Sequence, residues 1–199
     1  SKLMRMIMSR AKSDPKTIVF AEADHLNVLK AAQIIFDEKI GIPILLGNKE
    51  TILHLMEEIN FDADVQIIDP KSDEEEEMRN QFAQIYWEKS QRDGISLLVA
   101  QKWMRERNYF AAMMVNEGVA DSLVTGYSRS YPTVVKPMLE LIGRQRGVRR
   151  IAATNIMLTN RGPIFFSDTA INVNPTAIEL AGITSMTSIA MKMFGFEPN

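Results

Sequence analysis

The sequence predicts an α/β protein: a three-layer αβα arrangement around a mostly parallel sheet, followed by a smaller second lobe. Three observations carry this. The runs "TIVFAE", "IGIPILLG" and "ADVQIIDP" are β-branched and almost continuously apolar, as suits strands buried on both faces. They alternate with amphipathic helical stretches, the signature of βαβ units. After Pro137 the pattern changes to a hairpin and a long apolar helix.

Taken in order, "SKLMRMIMSRAKSDPK" is amphipathic and reads as a docked first helix. It is too short and too charged for a signal segment or a membrane span. "TIVFAE" is the first strand. Asp24 stands where an N-cap belongs, before "HLNVLKAAQIIFDEK", whose Leu26, Leu29, Ala32, Gln33 and Phe36 recur at helical spacing. "IGIPILLG" is the second strand, "KETILHLMEEIN" the second amphipathic helix of the domain, and "ADVQIIDP" the third strand, closed by Pro70. Ser72 with Glu75 three residues later has the form of a capping box. The acidic run Asp73 to Glu77 then suits the positive end of a helix dipole, so it is given no metal-binding role. Gly94 ends that helix.

"ISLLVAQKWMRERNYFAAMMVNEG" gives one or two helices, broken near Asn108, and "DSLVTG" is a fourth strand. "MLELIG" completes a helix ended by Gly143. "GVRRIAATNIMLTNRGPIFFSD" reads as two strands joined at "TNRG". "NPTAIELAGITSMTSIAMKMFG" is a helix with Asn174 as cap, Pro175 in the first position and Gly195 past the end. The lobe boundary is placed near Gly143 to Gly147, giving an α/β lobe over 1–145 and part of a second lobe over 146–199.

Composition narrows the chemistry. The 199 residues are 46% hydrophobic and 24% charged, with net charge −2. Neither a nucleic-acid surface nor a polybasic membrane anchor is indicated. With no Cys, disulfides, thiolate catalysis and Cys-ligated zinc are excluded. His25 and His54 share no ligand spacing, so no metal site is expected. The 13 Met residues fall in apolar helical stretches and suit an adaptable core or an oligomer interface.

The strongest candidate site is "GYSRSYPTVVKP", just past the fourth strand. In open α/β sheets ligands bind beyond the carboxyl ends of strands. Gly126, Ser128, Arg129, Ser130 and Lys136 are the candidate ligand-binding residues, for phosphate or a CoA phosphate. Arg129 offers a planar donor fork and the two Ser offer hydroxyls. A solvated loop, with Arg129 paired to a surface carboxylate, is the equal alternative on composition alone. No Walker or dinucleotide fingerprint occurs. Glu22 and Asp24 could form a carboxylate pair for acid–base work, but capping explains Asp24 more simply. Asp168 is expected to orient the Asn172–Asn174 turn. No catalytic residue is assigned.

The segments "VFAEADHLNVLKAAQI", "PILLGN", "NYFAAMMVNEGVADSLVTG", "KPMLELIG" and "FFSDTAINVNPTAIELAGITSMTSIAMKMFGFEP", in this order, resemble the phosphate acetyltransferase (phosphotransacetylase) family over essentially the whole chain. "GYSRSYPTVVKP" is most similar to the phosphotransacetylase-like domain at the C-terminus of bacterial NADP-dependent malic enzymes. Where transferases favour Pro-Glu-Gly, this chain has Ala21 and Ala23 around Glu22. It has His25 at an acidic position, Asn27 for an Arg, Tyr127 after Gly126, and Lys136 for an Arg. The family's later Ser-x-Ser-Thr-x-Gly-Ser loop is not in the chain, which is therefore expected to be a fragment of a longer domain.

The resemblance implies two α/β lobes similar to isocitrate and isopropylmalate dehydrogenases. It implies a regulatory and oligomerisation role in a cytoplasmic malic enzyme, with acetyl-CoA as effector. NADP and a divalent metal would then serve the parent enzyme, no cofactor would be bound by this segment, and the partners would be a second copy and upstream malic-enzyme domains. The alternative it implies is an active phosphate acetyltransferase, making acetyl phosphate from acetyl-CoA and phosphate. A plain interaction module with no ligand is the third reading.

Overall fold

A computed structural model describes residues 2–198. Four short strands form one parallel sheet: β1 (Lys16–Phe20), β2 (Gly41–Leu46), β3 (Gln66–Ile68) and β4 (Ser122–Val124), in the order β3-β2-β1-β4. All three pairings are parallel, with Val19 opposite Ile44 on one side and Leu123 on the other. The four apolar runs are thus the strands expected of them.

Alternation of side chains along β1 and β2 splits the core into two layers. Phe20 and Leu45 face α2 (Leu26–Asp37) and α3 (Lys49–Glu58), where they join Leu29, Ala32, Ile52, Met56 and Phe61. Val19, Ile44 and Leu46 face the other way. They meet Phe82 and Tyr86 of α4 (Glu76–Ser90), Ala100 of α5 (Leu97–Trp103), and Phe110 to Met114 of α6 (Arg107–Asn116). Helices on both faces explain why the strands read as continuous apolar runs.

Several local expectations are corrected. Asp24 does not cap α2: His25 holds the N-cap position, without a side-chain cap, because the Asp24 carboxylate is engaged elsewhere. Ser72 makes no cap hydrogen bond; Asp73–Glu75 form a 3₁₀ turn before α4, held by Arg79, which donates to the carbonyls of Pro70 (3.1 Å) and Ser72. The break between α5 and α6 falls at Met104–Glu106, ahead of Asn108, since Glu106 caps α6 by accepting from the amides of Asn108 and Tyr109. Past β4, α7 (Tyr131–Pro137) passes into a π-turn over Met138–Ile142, ended by Gly143 at φ +75°.

The chain separates into two units, Ala11–Gly143 and a second made by the first ten residues with Arg144 onward. The N-terminal residues therefore group with the second unit, not with the α/β lobe assigned to 1–145. In that second unit β5 (Thr154–Thr159) and β6 (Gly162–Ser167) pair antiparallel, Thr159 opposite Gly162. The hairpin is the one expected from the turn at "TNRG". It packs Phe165 near Phe194 and Phe196. α8 (Ala177–Met193) starts with a true capping box, Thr176 with Glu179, so the cap falls beyond the expected Asn174 and Pro175 lies outside the helix. The first helix, α1 (Lys2–Ser13), buries Leu3, and its Arg10 donates to the Met193 carbonyl at 2.7 Å.

The two-layer core predicts unequal costs. Phe110 is fully buried and rings with Phe82 at 5.2 Å, so Phe110→Ala should cost about 3–5 kcal/mol. Val173 is fully exposed, and Val173→Ala should stay within about 0.5 kcal/mol of the parent. Denaturant unfolding checks both; a loss under about 1 kcal/mol at Phe110 would contradict this core.

Candidate functional site

Strand order places a topological switch at β1. The chain leaves β1 for β2 and β3 on one side, then returns to β4 on the other. Crevices of this kind form the ligand sites of open α/β sheets. Here one side chain bridges the ends of β1 and β4. Glu22, two residues past β1, is wholly buried. Its carboxylate accepts the backbone amides of Gly126 (2.8 Å), Tyr127 (2.7 Å) and Ser128 (3.0 Å), and the Ser128 hydroxyl (2.5 Å). Burial pushes this carboxyl up, but the bonds from Ser128, Tyr127 and Gly126 together outweigh it and hold it below the ordinary range.

The loop after β4 is therefore a built anion nest, and its anion is the protein's own carboxylate. Gly126 adopts φ +100°, which presents these successive amides to one point. Gly126 and Ser128, both expected to meet a ligand, give these donors to Glu22. The Ser130 hydroxyl sits 2.8 Å from that of Thr133. Lys136 lies 3.7 Å from Glu140 and over the Trp103 ring at 4.5 Å, away from the residues that surround Arg129. Arg129 is exposed and makes no hydrogen bond or ion pair among the described residues.

Asp24 is engaged in the same manner. Arg107, at the start of α6, donates to both of its oxygens, at 2.6 and 2.9 Å, with both side chains largely buried. Burial raises this carboxyl, but hydrogen bonding and charge from Arg107 win and keep it low. Gly47 is required beside the pair: a Cβ there would lie 2.9 Å from Asp24 Cγ, and its φ is +155°. In the second unit Asp168 does orient its turn, accepting from the amides of Ala153 (2.8 Å) and Asn172 (2.6 Å) and from Asn172 Nδ2 (2.6 Å). Burial opposes ionisation there too, yet these bonds bring Asp168 down to about 2.

A cavity of about 150 Å³ lies at the carboxyl ends of β2 and β3. It is lined by Gly47, Asn48, Asp69, Pro70, Lys71, Arg105, Glu106, Arg107 and Arg129. Arg129 is thus the one expected site residue that reaches a concavity in this unit together with other cations. Sequence reasoning missed Arg105, Arg107 and Lys71. The "RER" run beside Asn108 was the available signal, but its role depends on where α6 begins. No group of His, Asp and Glu capable of holding a metal occurs among the described residues. No helix among them is long and apolar enough to cross a membrane.

Residues 2–199 match the family model described as "Phosphate acetyl/butaryl transferase". The chain is similar to an NADP-dependent malic enzyme of Haemophilus influenzae, 32% identical over all of this chain and 26% of that protein. It is similar to a phosphate acetyltransferase of Thermoanaerobacterium thermosaccharolyticum, 31% identical over 98% of this chain and 61% of that protein. Its fold matches a phosphotransacetylase from Streptococcus pyogenes with TM-score 0.88 and 31% identity, over 99% of this chain and 60% of that one. The chain thus spans about a quarter of the malic enzyme and about three-fifths of the two transferases.

The Glu22 bonds predict a pH-dependent stability. In the unfolded chain this carboxyl takes up its proton near the ordinary glutamate value, about 4.3. In the fold it does so only at lower pH. Its contribution is therefore complete above the ordinary value and is lost as pH falls from there through the folded value. Glu22→Gln sets an amide NH₂ against amide donors and should cost about 2–3 kcal/mol at neutral pH. It should also flatten the acid limb in denaturant unfolding between pH 7 and 3; an unchanged limb would remove Glu22 as its source.

Proposed function

The chain belongs to the phosphate acetyl/butyryl transferase family and is a phosphate acetyltransferase-like domain of the kind present in malic enzymes and phosphotransacetylases; from this premise we propose that it senses acetyl-CoA as the regulatory and assembly domain of a malic enzyme. One observation carries the reading. The two carboxylates that follow β1 are fully engaged, Glu22 by the β4 loop and Asp24 by Arg107, while Arg129 is left open. A general base must be free to exchange a proton at the reacting centre. Neither carboxylate is placed for that. An open guanidinium beside structural carboxylates suits the binding of an anion as a signal.

In this reading Arg129 grips a phosphate of acetyl-CoA, two oxygens at once. The departures at Ala21, Ala23, His25, Asn27, Tyr127 and Lys136 from the transferase pattern support the same assignment. NADP, the divalent metal and malate chemistry belong to upstream domains. The assembly role rests on α8. Its Ile178, Leu180, Ile189 and Met193 are 50–69% exposed, and a second copy of the domain would cover them.

Two measurements test this in the full-length protein. Arg129→Ala should weaken regulation by acetyl-CoA about 10- to 150-fold, as for loss of a charge-assisted hydrogen bond of roughly 1.5–3 kcal/mol. Basal malate turnover should change little. Unchanged sensitivity would remove Arg129 from the effector site, and robust acetyl phosphate formation by the wild type would replace sensing with transferase activity. Separately, Ile189→Asp should shift the oligomer toward smaller species in light scattering; an identical mass distribution would count against α8 as the contact.

A further inference from the structure

We infer that the cavity against α8 in the second unit is a binding site for an amphipathic monoanion, a carboxylate on a short alkyl chain, with Arg149 as the partner of its head group. The cavity measures about 360 Å³. That falls within the size of small-molecule sites, roughly 300–1,000 Å³. Its apolar wall is one face of α8, where Ile178, Gly182, Met186 and Ile189 recur three and four residues apart. The stretch 147–150 supplies the rest of the lining together with Glu179. An ion pair ties this stretch to the helix: Arg150 Nε lies 2.6 Å from Glu179 Oε1.

Gly182 points to an occupant. Glycine is disfavoured in a helix interior, because it loses the most backbone freedom on folding. Gly182 nonetheless stands inside the 17-residue α8, and a Cβ there would meet nothing within 4 Å. Among the described residues no neighbour uses the space, so the absent side chain deepens the cavity. Charge sets the head group. Arg150 neutralises Glu179, and the Arg149 side chain makes no hydrogen bond or ion pair among the described residues, so the lining keeps one unmatched cation. The surrounding unit carries nine Lys and Arg against three Asp and Glu, whereas Ala11–Gly143 carries fourteen against twenty-two. The field of the second unit therefore favours an anion. One open guanidinium beside an apolar wall suits one carboxylate with an alkyl chain.

The site goes beyond the proposed function, but Ile178 and Ile189 also belong to the α8 face given above to a second copy. Calorimetry and light scattering are therefore run together on the full-length protein. The probes are butyrate, hexanoate and octanoate at constant ionic strength. Octanoate should bind saturably, and each methylene should tighten binding about fourfold until the cavity is full. Octan-1-ol has the chain without the charge and should bind about tenfold more weakly than octanoate. Arg149→Ala should weaken octanoate about tenfold and leave octan-1-ol within about twofold. Gly182→Leu should abolish binding by filling the cavity, and should melt no lower than the wild type, since leucine is the better helix former. Arg161→Ala, between β5 and β6 and outside the lining, should leave binding within about twofold. Affinity that ignores chain length, octan-1-ol that matches octanoate, or unaltered binding in Gly182→Leu would overturn the site. A lower melting temperature in Gly182→Leu would also overturn it, because Gly182 would then serve close packing. No saturable octanoate binding by an oligomer of unchanged mass removes the site and leaves the assembly reading. A monomer that binds octanoate removes the assembly reading and leaves the site.

Discussion

The α/β unit depends on one buried carboxylate. β1 and β4 pair over only three residues, Ile18 to Phe20 against Ser122 to Val124. So short a ladder specifies little beyond its own length. Glu22 extends the connection past the ladder. Its two oxygens take three consecutive amides and a hydroxyl from the β4 loop. Gly126, Tyr127 and Ser128 are exposed residues, and the Glu22 carboxylate replaces water as the common acceptor of their amides. The carboxylate in turn can stay ionised in a buried place only because the loop surrounds it. The loop conformation and the burial of Glu22 therefore support each other.

A second pair performs the same task one strand over. Asp24 and Arg107 connect the β1 end to the start of α6, and Gly47 leaves room for them at the end of β2. The electrostatic consequence is indirect. Asp24 neutralises Arg107, while Asp69 and Glu106 keep their charge, so the balance at the cavity is set by Lys71, Arg105 and Arg129 against those two carboxylates. The cavity beside them is positive although the chain as a whole carries net charge −2. Away from this cavity Glu140 plays a comparable part under α7, accepting from Tyr109 at 2.6 Å and Tyr86 at 3.2 Å. Burial and the Glu140 charge push Tyr86 up to about 12 and raise Tyr109 as well. This network ties the π-turn that follows α7 to α4 and α6.

The sheet was legible in the sequence because its signal is local. A parallel strand covered on both faces must be largely apolar, as β1 and β2 are at their inner ends, while the shorter edge strands β3 and β4 were marked by Ile67, Ile68, Leu123 and Val124 between turn residues. The hairpin was legible from "TNRG" for a similar reason. The caps were not. Asp24, Ser72 and Asn174 are all good cap residues, yet the first is captured by Arg107, the second faces a 3₁₀ turn, and the third is displaced by Thr176 with its Glu179 partner. Cap chemistry is shared by turns and ion pairs, so tertiary partners decide among them. The site was half legible for the same reason. Arg129 could be singled out from its place after a strand. That Ser128 serves Glu22, 106 positions away, and that Arg105 and Lys71 sit near Arg129, depends on residues far apart in sequence.

A loop shaped by an internal anion has a consequence for binding. When backbone donors are left free, a ligand must order them, and part of its interaction energy is lost to that ordering. Here the loop from Gly126 to Ser128 is held by Glu22 before any ligand arrives, so Arg129 projects from a base that is already set. Arg105 is likewise steadied by a backbone carbonyl. Side-chain freedom of Arg129 is then the main entropy left to lose. Asp69 and Glu106 line the same cavity, each held by backbone amides. The same scaffold occurs in phosphate acetyltransferases and in malic enzymes, so what distinguishes such domains lies in the groups brought to the strand ends and not in the sheet that carries them.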